Sequence, residues 1–389
     1  MTPAIDALFR SAIEAGEVPG AVAAVATDRG LLYEGAFGQC DREAGTPMRL
    51  DTQFRIASMT KAVTSVAAMQ LVEQGRLGLD MPVEAIMPEF GELEVLVGFY
   101  GDTPALRKPA RPATIRELMT HTAGLAYEFW NAPMLKYLTV TGTPSMLAAR
   151  NASLTTPLCF DPGSCWNYGI HTDWLGRAVE TVSGQTLDAY LQEWILEPLG
   201  MRQTTFAPDD AQRARLTPIY GRTPDGGLAR VEFDWPTERD FWNGGHGLHC
   251  EAGDYVRFLR MFLNGGSLDG VRVLERETVT EMCRNHIGDL WVTCLPATLP
   301  AYSLDAEFFP GEPKKHGLGF MINCNAIPGM RAAGSQAWAG IFNSYYWFDP
   351  ASKLCAVLML QTLPFADGPS ITLFERFERA VYASFGRAT

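Results

Sequence analysis

Strand-like segments crowd the two ends of this chain and helical ones fill the middle, and that separation limits its fold more than any other feature. Near the N-terminus, GAVAAVATDRGLLYEGAFG reads as two apolar, small-residue strands around a turn at Asp28-Arg29-Gly30. Strand character returns only from residue 316 onward, in HGLGFMINCNA and SQAWAGIFNSYYWFDPASKLCAVLMLQTL, where Asp349-Pro350 marks a turn. Helical spacing marks residues 4–15 and the tail 370–385, where Ile371, Phe374, Phe377 and Val381 share a face. In between, Thr114 and Glu117 predict a capping box ahead of IRELMTH. TDWLGRAVETVSG runs to a stop at Gly184, TLDAYLQEWILEPLG is expected to stop at Pro198, and EAGDYVRFLRMFLNGG ends in glycine. These elements predict an α/β fold: a mostly antiparallel sheet built from both chain ends, flanked by helices, with a mainly helical region inserted. The expected division is 1–62 with 250–389 for the sheet and 63–249 for the helices, with a cleft at the seam.

At that seam stands FRIASMTKAV, residues 54–63. Residues three apart on a helix are neighbours on one face, so Ser58 and Lys61 touch if a helix begins near Ser58. A serine hydroxyl attacks only when something takes its proton, and an ammonium cannot take it. Lys61 must therefore be neutral, or hold a proton acceptor in place. The apolar run AVTSVAAMQLV predicts a buried amine, and burial favours the neutral form. A helix start also offers free backbone N–H groups where an oxyanion would form. By itself the pair is weak, because a capping serine followed by a surface lysine looks the same.

Composition narrows the partners. The net charge of −12 argues against nucleic acid and anionic membrane surfaces. No apolar run approaches the roughly 18 residues of a membrane span. The N-terminus lacks a basic stretch followed by an apolar core, so no secretory leader is expected. Eight cysteines lie scattered without a C-x-x-C pair; Cys159 and Cys165 are near neighbours, but the expectation is free thiols in a cytoplasmic protein.

Other segments supply further parts. Tyr168, between a Pro-Gly turn and a helix in FDPGSCWNYGIHTDWLG, can bring a phenol to a cleft. Trp338-Ala339-Gly340 lies in an aromatic strand, where a glycine often marks close approach of a ligand or another backbone. The ordered set S-x-x-K, LMTHTAGL, PGSCWNYG…DWLG, NGGHGL and WAG resembles the serine β-lactamase and penicillin-binding-protein superfamily over residues 5 to 385. Within it, the similarity is to the class C β-lactamase-like carboxylesterases, the family VIII esterases. The resemblance implies that Ser58 is acylated and that Lys61 and Tyr168 share the proton transfers. It also implies an oxyanion hole of the Ser58 and Ile341 backbone N–H groups, with Trp338 and Gly340 lining the acyl cleft.

Two departures bear on substrate. The β-lactamase Tyr-x-Asn is here Tyr168-Gly169-Ile170, and Lys-Thr-Gly is here Trp338-Ala339-Gly340. Losing that lysine and threonine removes charge-assisted hydrogen bonds to a β-lactam carboxylate, worth about 1.5–3 kcal/mol each. An uncharged, apolar ester suits the cleft better. No G-x-S-x-G occurs, and His246-x-x-His249 lacks the glutamate of a zinc motif. His246 and Tyr127 are taken as substrate-contacting candidates. Tyr127, Phe129 and Trp130, then Trp235, Phe241 and Trp242, then Phe308 and Phe309 are candidate pocket walls, about a third of which are expected to face substrate. The expected protein is a serine carboxylesterase for small, short-acyl esters. It needs no metal or organic cofactor and binds a small-molecule ester, not nucleic acid or membrane. Acyl transfer or weak β-lactamase activity at the same serine are the alternatives.

Overall fold

Two strand groups at opposite ends of a chain leave unpaired backbone edges, and this fold satisfies them by joining the groups into one sheet. The structure, a computed structural model, describes residues 2–386. Helix α1 (Thr2–Glu14) leads to strands β1 (Gly20–Thr27), β2 (Leu31–Asp41) and β3 (Thr46–Pro47). Helices α2 (Thr60–Glu73), α3 (Ile115–Thr120), α4 (His171–Ser183) and α5 (Ala252–Leu263) dominate the middle. Strands β4 (Lys314–His316), β5 (Met321–Asn323), β6 (Gln336–Gly340), β7 (Ser344–Asp349) and β8 (Leu354–Met359) follow, and α6 (Gly368–Phe385) ends the fold. The eight strands form one sheet in the order β4-β5-β6-β7-β8-β1-β2-β3. Every pairing is antiparallel, and β1 meets β8 with Val22 opposite Met359.

The unbroken run SYYWFD of β7 follows from burial on both faces, since alternate side chains point to opposite sides. Tyr345 stacks on Phe374 at 4.4 Å and Trp347 lies 5.7 Å from Phe377, both on α6. On the other face Tyr346 meets Tyr255 and Phe348 meets Phe262, both on α5. Phe9 of α1 joins the α6 side, 5.0 Å from Phe37 and 5.4 Å from Phe377. The small residues of β1 let α5 pack close to the sheet. Helix α2 is buried from Thr60 to Leu71, as a helix with apolar residues around its circumference must be. It packs against α4, and together they carry the site.

The predicted capping box at Thr114 and Glu117 is present, and the α3 helix stops at His121 in the left-handed conformation. Two expectations need correction. The middle is not free of strands: Val95–Tyr100 pairs with Thr103–Arg107, and Ile219–Arg222 pairs with Leu228–Val231 and with Thr362–Leu363 near the C-terminus. Ile219–Arg222 and Leu228–Val231 are only four residues each and partly exposed, whereas VLVGFY at Val95–Tyr100 is an apolar run that the helical reading of the middle passed over. Nor does the helix at 187 stop at Pro198. It widens into a π turn over Gln192–Leu196 and continues through Glu197–Leu199 to Gly200. Proline cannot donate to the carbonyl four residues back. That carbonyl, on Trp194, accepts from Gln70 Nε2 at 3.1 Å instead.

Candidate active site

Ser58 sits on a 3-10 turn, Ala57–Met59, that runs directly into α2. Ala57 is held at φ 44°, a left-handed conformation that an alanine adopts only when its surroundings impose it. What imposes it is the end of β6. A Cβ on Gly340 would lie 2.5 Å from the Ile56 carbonyl oxygen and 3.5 Å from Ala57 Cβ. Only glycine lets the strand come that near the serine turn. Strand β6 is an interior strand at Gln336 and Ala337, where β5 pairs with it, and has no β5 partner from Trp338 to Gly340. The serine turn therefore borders the open end of a strand that is elsewhere interior.

Lys61 is 3% exposed, and its amine has three acceptors: Gly245 O at 2.7 Å, Tyr127 Oη at 3.1 Å and Ser58 Oγ at 3.3 Å. The amine also stands 4.8 Å from the centre of the Tyr168 ring. The Tyr168 hydroxyl accepts from the Trp338 indole N–H at 3.2 Å. Trp338 thus donates to the phenol from the position where the β-lactamase pattern has a lysine. Gly169, which replaces the middle residue of Tyr-x-Asn, packs so tightly that a Cβ would lie 2.6 Å from Ala126 N and Leu125 O. Serine and lysine on one helical start and a phenol from a distant loop therefore converge. Gly340 adjoins the serine turn, and Ile341 follows it among the partly buried residues packed around Ala57, Phe342 and Trp235.

Tyr127 and His246 are both buried beside Asp173. Tyr127 is 4% exposed and its hydroxyl donates to Asp173 Oδ2 at 3.5 Å. Burial and the Asp173 charge push its phenol well above the usual range, so it stays protonated. His246 packs on Trp235 at 5.0 Å, with Nδ1 3.9 Å from Asp173 Oδ1 and neither ring nitrogen hydrogen-bonded. Of the aromatic candidates, Trp130 packs against Tyr127 and Tyr168, Phe308 against Trp338, and Trp235 against Phe342. Phe129 stands on Tyr302. Phe241 and Trp242 line a different surface hollow with Arg177 and Arg239, and Phe309 lies under the Arg331 guanidinium. Sequence reasoning gave no role to Asp173. The signal was an acid inside the quoted DWLG, flanked by Trp174 and Leu175 on a helix with a buried face.

Three histidines lie beneath Tyr168. His121 is 4.8 Å from the Tyr168 ring, 4.8 Å from His171 and 5.4 Å from His316. His121 and His171 share a hydrogen bond between their Nδ1 atoms at 3.1 Å, so one of them accepts and is neutral. Burial drives His171 and His246 to about 3 and His316 to about 4, and holds His121 well below its usual value. His249 is likewise driven to about 3. In the unfolded chain each titrates near 6.5, so on acidification the unfolded state binds protons first. Stability contributed this way is complete above about pH 6.5 and is lost as pH falls toward 4, at about 1.4 kcal/mol per pH unit for each imidazole. Asp254, raised by burial to about 6, and Glu128, Asp173 and Asp188, also raised by burial, work in the opposite sense but are outnumbered by the histidines. The urea midpoint is expected to be clearly lower at pH 5 than at pH 7.5; an equal midpoint at both would contradict this account.

An antiparallel sheet closed by both chain ends, with a helical layer holding S-x-x-K at its seam, is the fold of the serine β-lactamases and penicillin-binding proteins, and this protein is an enzyme of the serine hydrolase type. Residues 5–377 match the β-lactamase family, and the chain belongs to it. It is 31% identical to the lovastatin esterase of Penicillium rubens over 98% of both chains. It is 30% identical to the monacolin J acid methylbutanoyltransferase of Aspergillus terreus, over 98% of this chain and 95% of that one. Among solved structures, unliganded simvastatin synthase from Aspergillus terreus matches with a TM-score of 0.85 at 29% identity, covering 99% of this chain and 98% of the other.

Proposed function

We propose that the protein is a carboxylesterase that forms an acyl-enzyme on Ser58 and releases it to water, acting on small, apolar, uncharged esters. The observation that carries this reading is the Lys61 amine 3.3 Å from Ser58 Oγ and against the Tyr168 ring. In acylation the Ser58 O–H bond breaks and its proton passes to the Lys61–Tyr168 pair as Oγ bonds to the carbonyl carbon. The carbonyl oxygen takes the π electrons and is held by the backbone N–H groups of Ser58 and Ile341. Collapse breaks the bond to the alkoxide, which leaves with the proton. Water then repeats the sequence, releasing the acid and restoring Ser58.

Acyl transfer to an alcohol is the second reading, supported by the methylbutanoyltransferase among the relatives. A cavity of about 520 Å³ lined by Phe233, Tyr302, Leu304 and Leu363 together with the charged Arg222, Glu232 and Asp367 offers room for an acceptor, because Phe233 and Leu363 pack in the same cluster as Ala57 and Ile341. The test is a panel of nitrophenyl esters, an amide and a chromogenic cephalosporin, with and without added alcohol. Butyrate ester turnover is expected to exceed cephalosporin turnover by about 100-fold or more, from the lost carboxylate contacts. Comparable rates would favour a β-lactamase. A transfer product that outpaces free acid would make the protein an acyltransferase first.

A further inference from the structure

Asp173 is a fully buried carboxylate in the first turn of α4, and it takes no part in the reaction as written above. Both of its oxygens are aimed at groups that themselves hold Lys61. Oδ2 accepts from the Tyr127 hydroxyl, whose oxygen accepts from Lys61 Nζ. Oδ1 accepts from the Gly245 N–H at 3.0 Å and from Asn243 Nδ2 at 3.4 Å, and the carbonyl of the same Gly245 accepts from Lys61 at 2.7 Å. Two of the three contacts of the amine therefore end at one carboxylate, and the third is Ser58. The glycine-rich loop is shaped for this. A Cβ at 245 would lie 2.6 Å from Asp173 Oδ2 and 3.0 Å from Tyr127 Oη, wedged between acid and phenol. A Cβ at 244 would lie 2.6 Å from Thr172 O, and the Gly244 carbonyl is pinned by Thr64 Oγ1 on α2.

A carboxylate buried this deeply is expensive unless a cation faces it. Burial raises Asp173, and Lys61 is the first influence opposing that rise. The lysine stem is flexible, and an unsupported amine would sample several positions around Ser58. We propose that Asp173 is a positioning residue: through the Tyr127 hydroxyl and the Gly245 backbone it fixes the Lys61 amine against Ser58 Oγ and supplies the negative charge the amine faces. This rests on the reading of Ser58 and Lys61 given above.

The other titratable groups around this centre are Tyr127 and Glu128 from the loop after α3, His121 at the end of α3, Tyr168 and His171 at the start of α4, and His246 from the glycine-rich loop. Burial keeps His121, His171 and His246 neutral near pH 7 and raises Tyr127 and Glu128. Asp173→Asn keeps the side-chain shape and removes the charge. It is expected to lower kcat for nitrophenyl butyrate by about 100-fold, the loss that accompanies a misplaced catalytic group. Removing an anion makes a nearby ammonium lose its proton more readily. The kcat/KM profile of Asp173→Asn is thus expected to be displaced to lower pH relative to the wild type. Tyr127→Phe cuts one arm and leaves the carboxylate, so it is expected to lose less. The double variant should be no worse than Asp173→Asn alone.

A folded Asp173→Asn enzyme with the wild-type pH profile, whatever its rate, overturns the proposal. If Asp173→Asn does not fold, Tyr127→Phe decides: a wild-type rate and profile in that variant overturns it. Intact-mass detection of an acyl adduct on Ser58 in the wild type separates the two claims. Absence of the adduct sinks the reading of the site itself, whereas an adduct with an unmoved profile in Asp173→Asn sinks only the role of Asp173.

Discussion

Ser58→Ala is expected to lower kcat for nitrophenyl butyrate by about 10⁴-fold or more, with KM nearly unchanged and no covalent adduct by intact mass. The size follows from removing the atom that carries the acyl group; in a serine protease of unrelated fold, deleting the nucleophile costs about as much as deleting its partners along with it. KM should hold because the hydroxyl contributes little to binding the intact ester. The backbone is expected to be indifferent as well. Ser58 is only partly buried, the turn is held by Gly340 against Ile56, and alanine fits any geometry that serine adopts. A variant that kept its esterase rate within tenfold would mean that another nucleophile operates and that the assignment of the site is wrong.

Glu378→Ala is expected to destabilise the fold by about 3–5 kcal/mol, read as a lower urea midpoint, because it strands a buried cation. Arg331 is 1% exposed and Glu378 is wholly buried. The guanidinium donates from Nε and Nη2 to the two carboxylate oxygens at 2.8 and 2.6 Å, and the Arg331 backbone N–H adds a third bond to Oε1. Phe309, Trp347 and Phe374 surround it, and Nη1 has no acceptor. With Glu378 gone, no protein oxygen in this bidentate geometry replaces it. The pair ties α6 to the loop before β6, so the loss is expected to be global. Arg331→Met combined with Glu378→Leu should recover most of it, since two apolar residues in place of a buried ion pair are often tolerated. A single-variant midpoint unchanged from wild type would show that water reaches the site.

The same contrast between local pattern and distant partner explains what was legible beforehand. The sheet at both ends was readable because β1, β7 and β8 are buried on both faces and must be written as unbroken apolar runs. The helix stops at Gly184 and the capping box at Thr114 depend on a few neighbouring residues, so their chemistry is local. Pro198 misled because its missing hydrogen bond is made good by Gln70, 128 positions away in the chain, and no local rule contains that side chain. The two-residue strand Thr362–Leu363 exists only as a partner of Ile219–Arg222, which lies more than 140 positions earlier in the chain.

The site divides along the same line. The Ser58–Lys61 spacing is carried directly by the sequence, but only the ordered set of other motifs lifts it above a capping serine followed by a surface lysine. Tyr168 and the Trp338-Ala339-Gly340 strand were found through ordered motifs, not through any contact that the sequence displays. That the Trp338 indole reaches the Tyr168 hydroxyl, that Tyr127 accepts from Lys61, and that Asp173 joins Tyr127 to Gly245 are facts of packing. Periodicity and residue type determined which segments form strands, which form helices, and where a nucleophile can stand. Which side chains surround Ser58 and Lys61 was decided by the folded chain, because hydrogen bonds between residues separated by tens to hundreds of positions depend on distances that only tertiary packing sets.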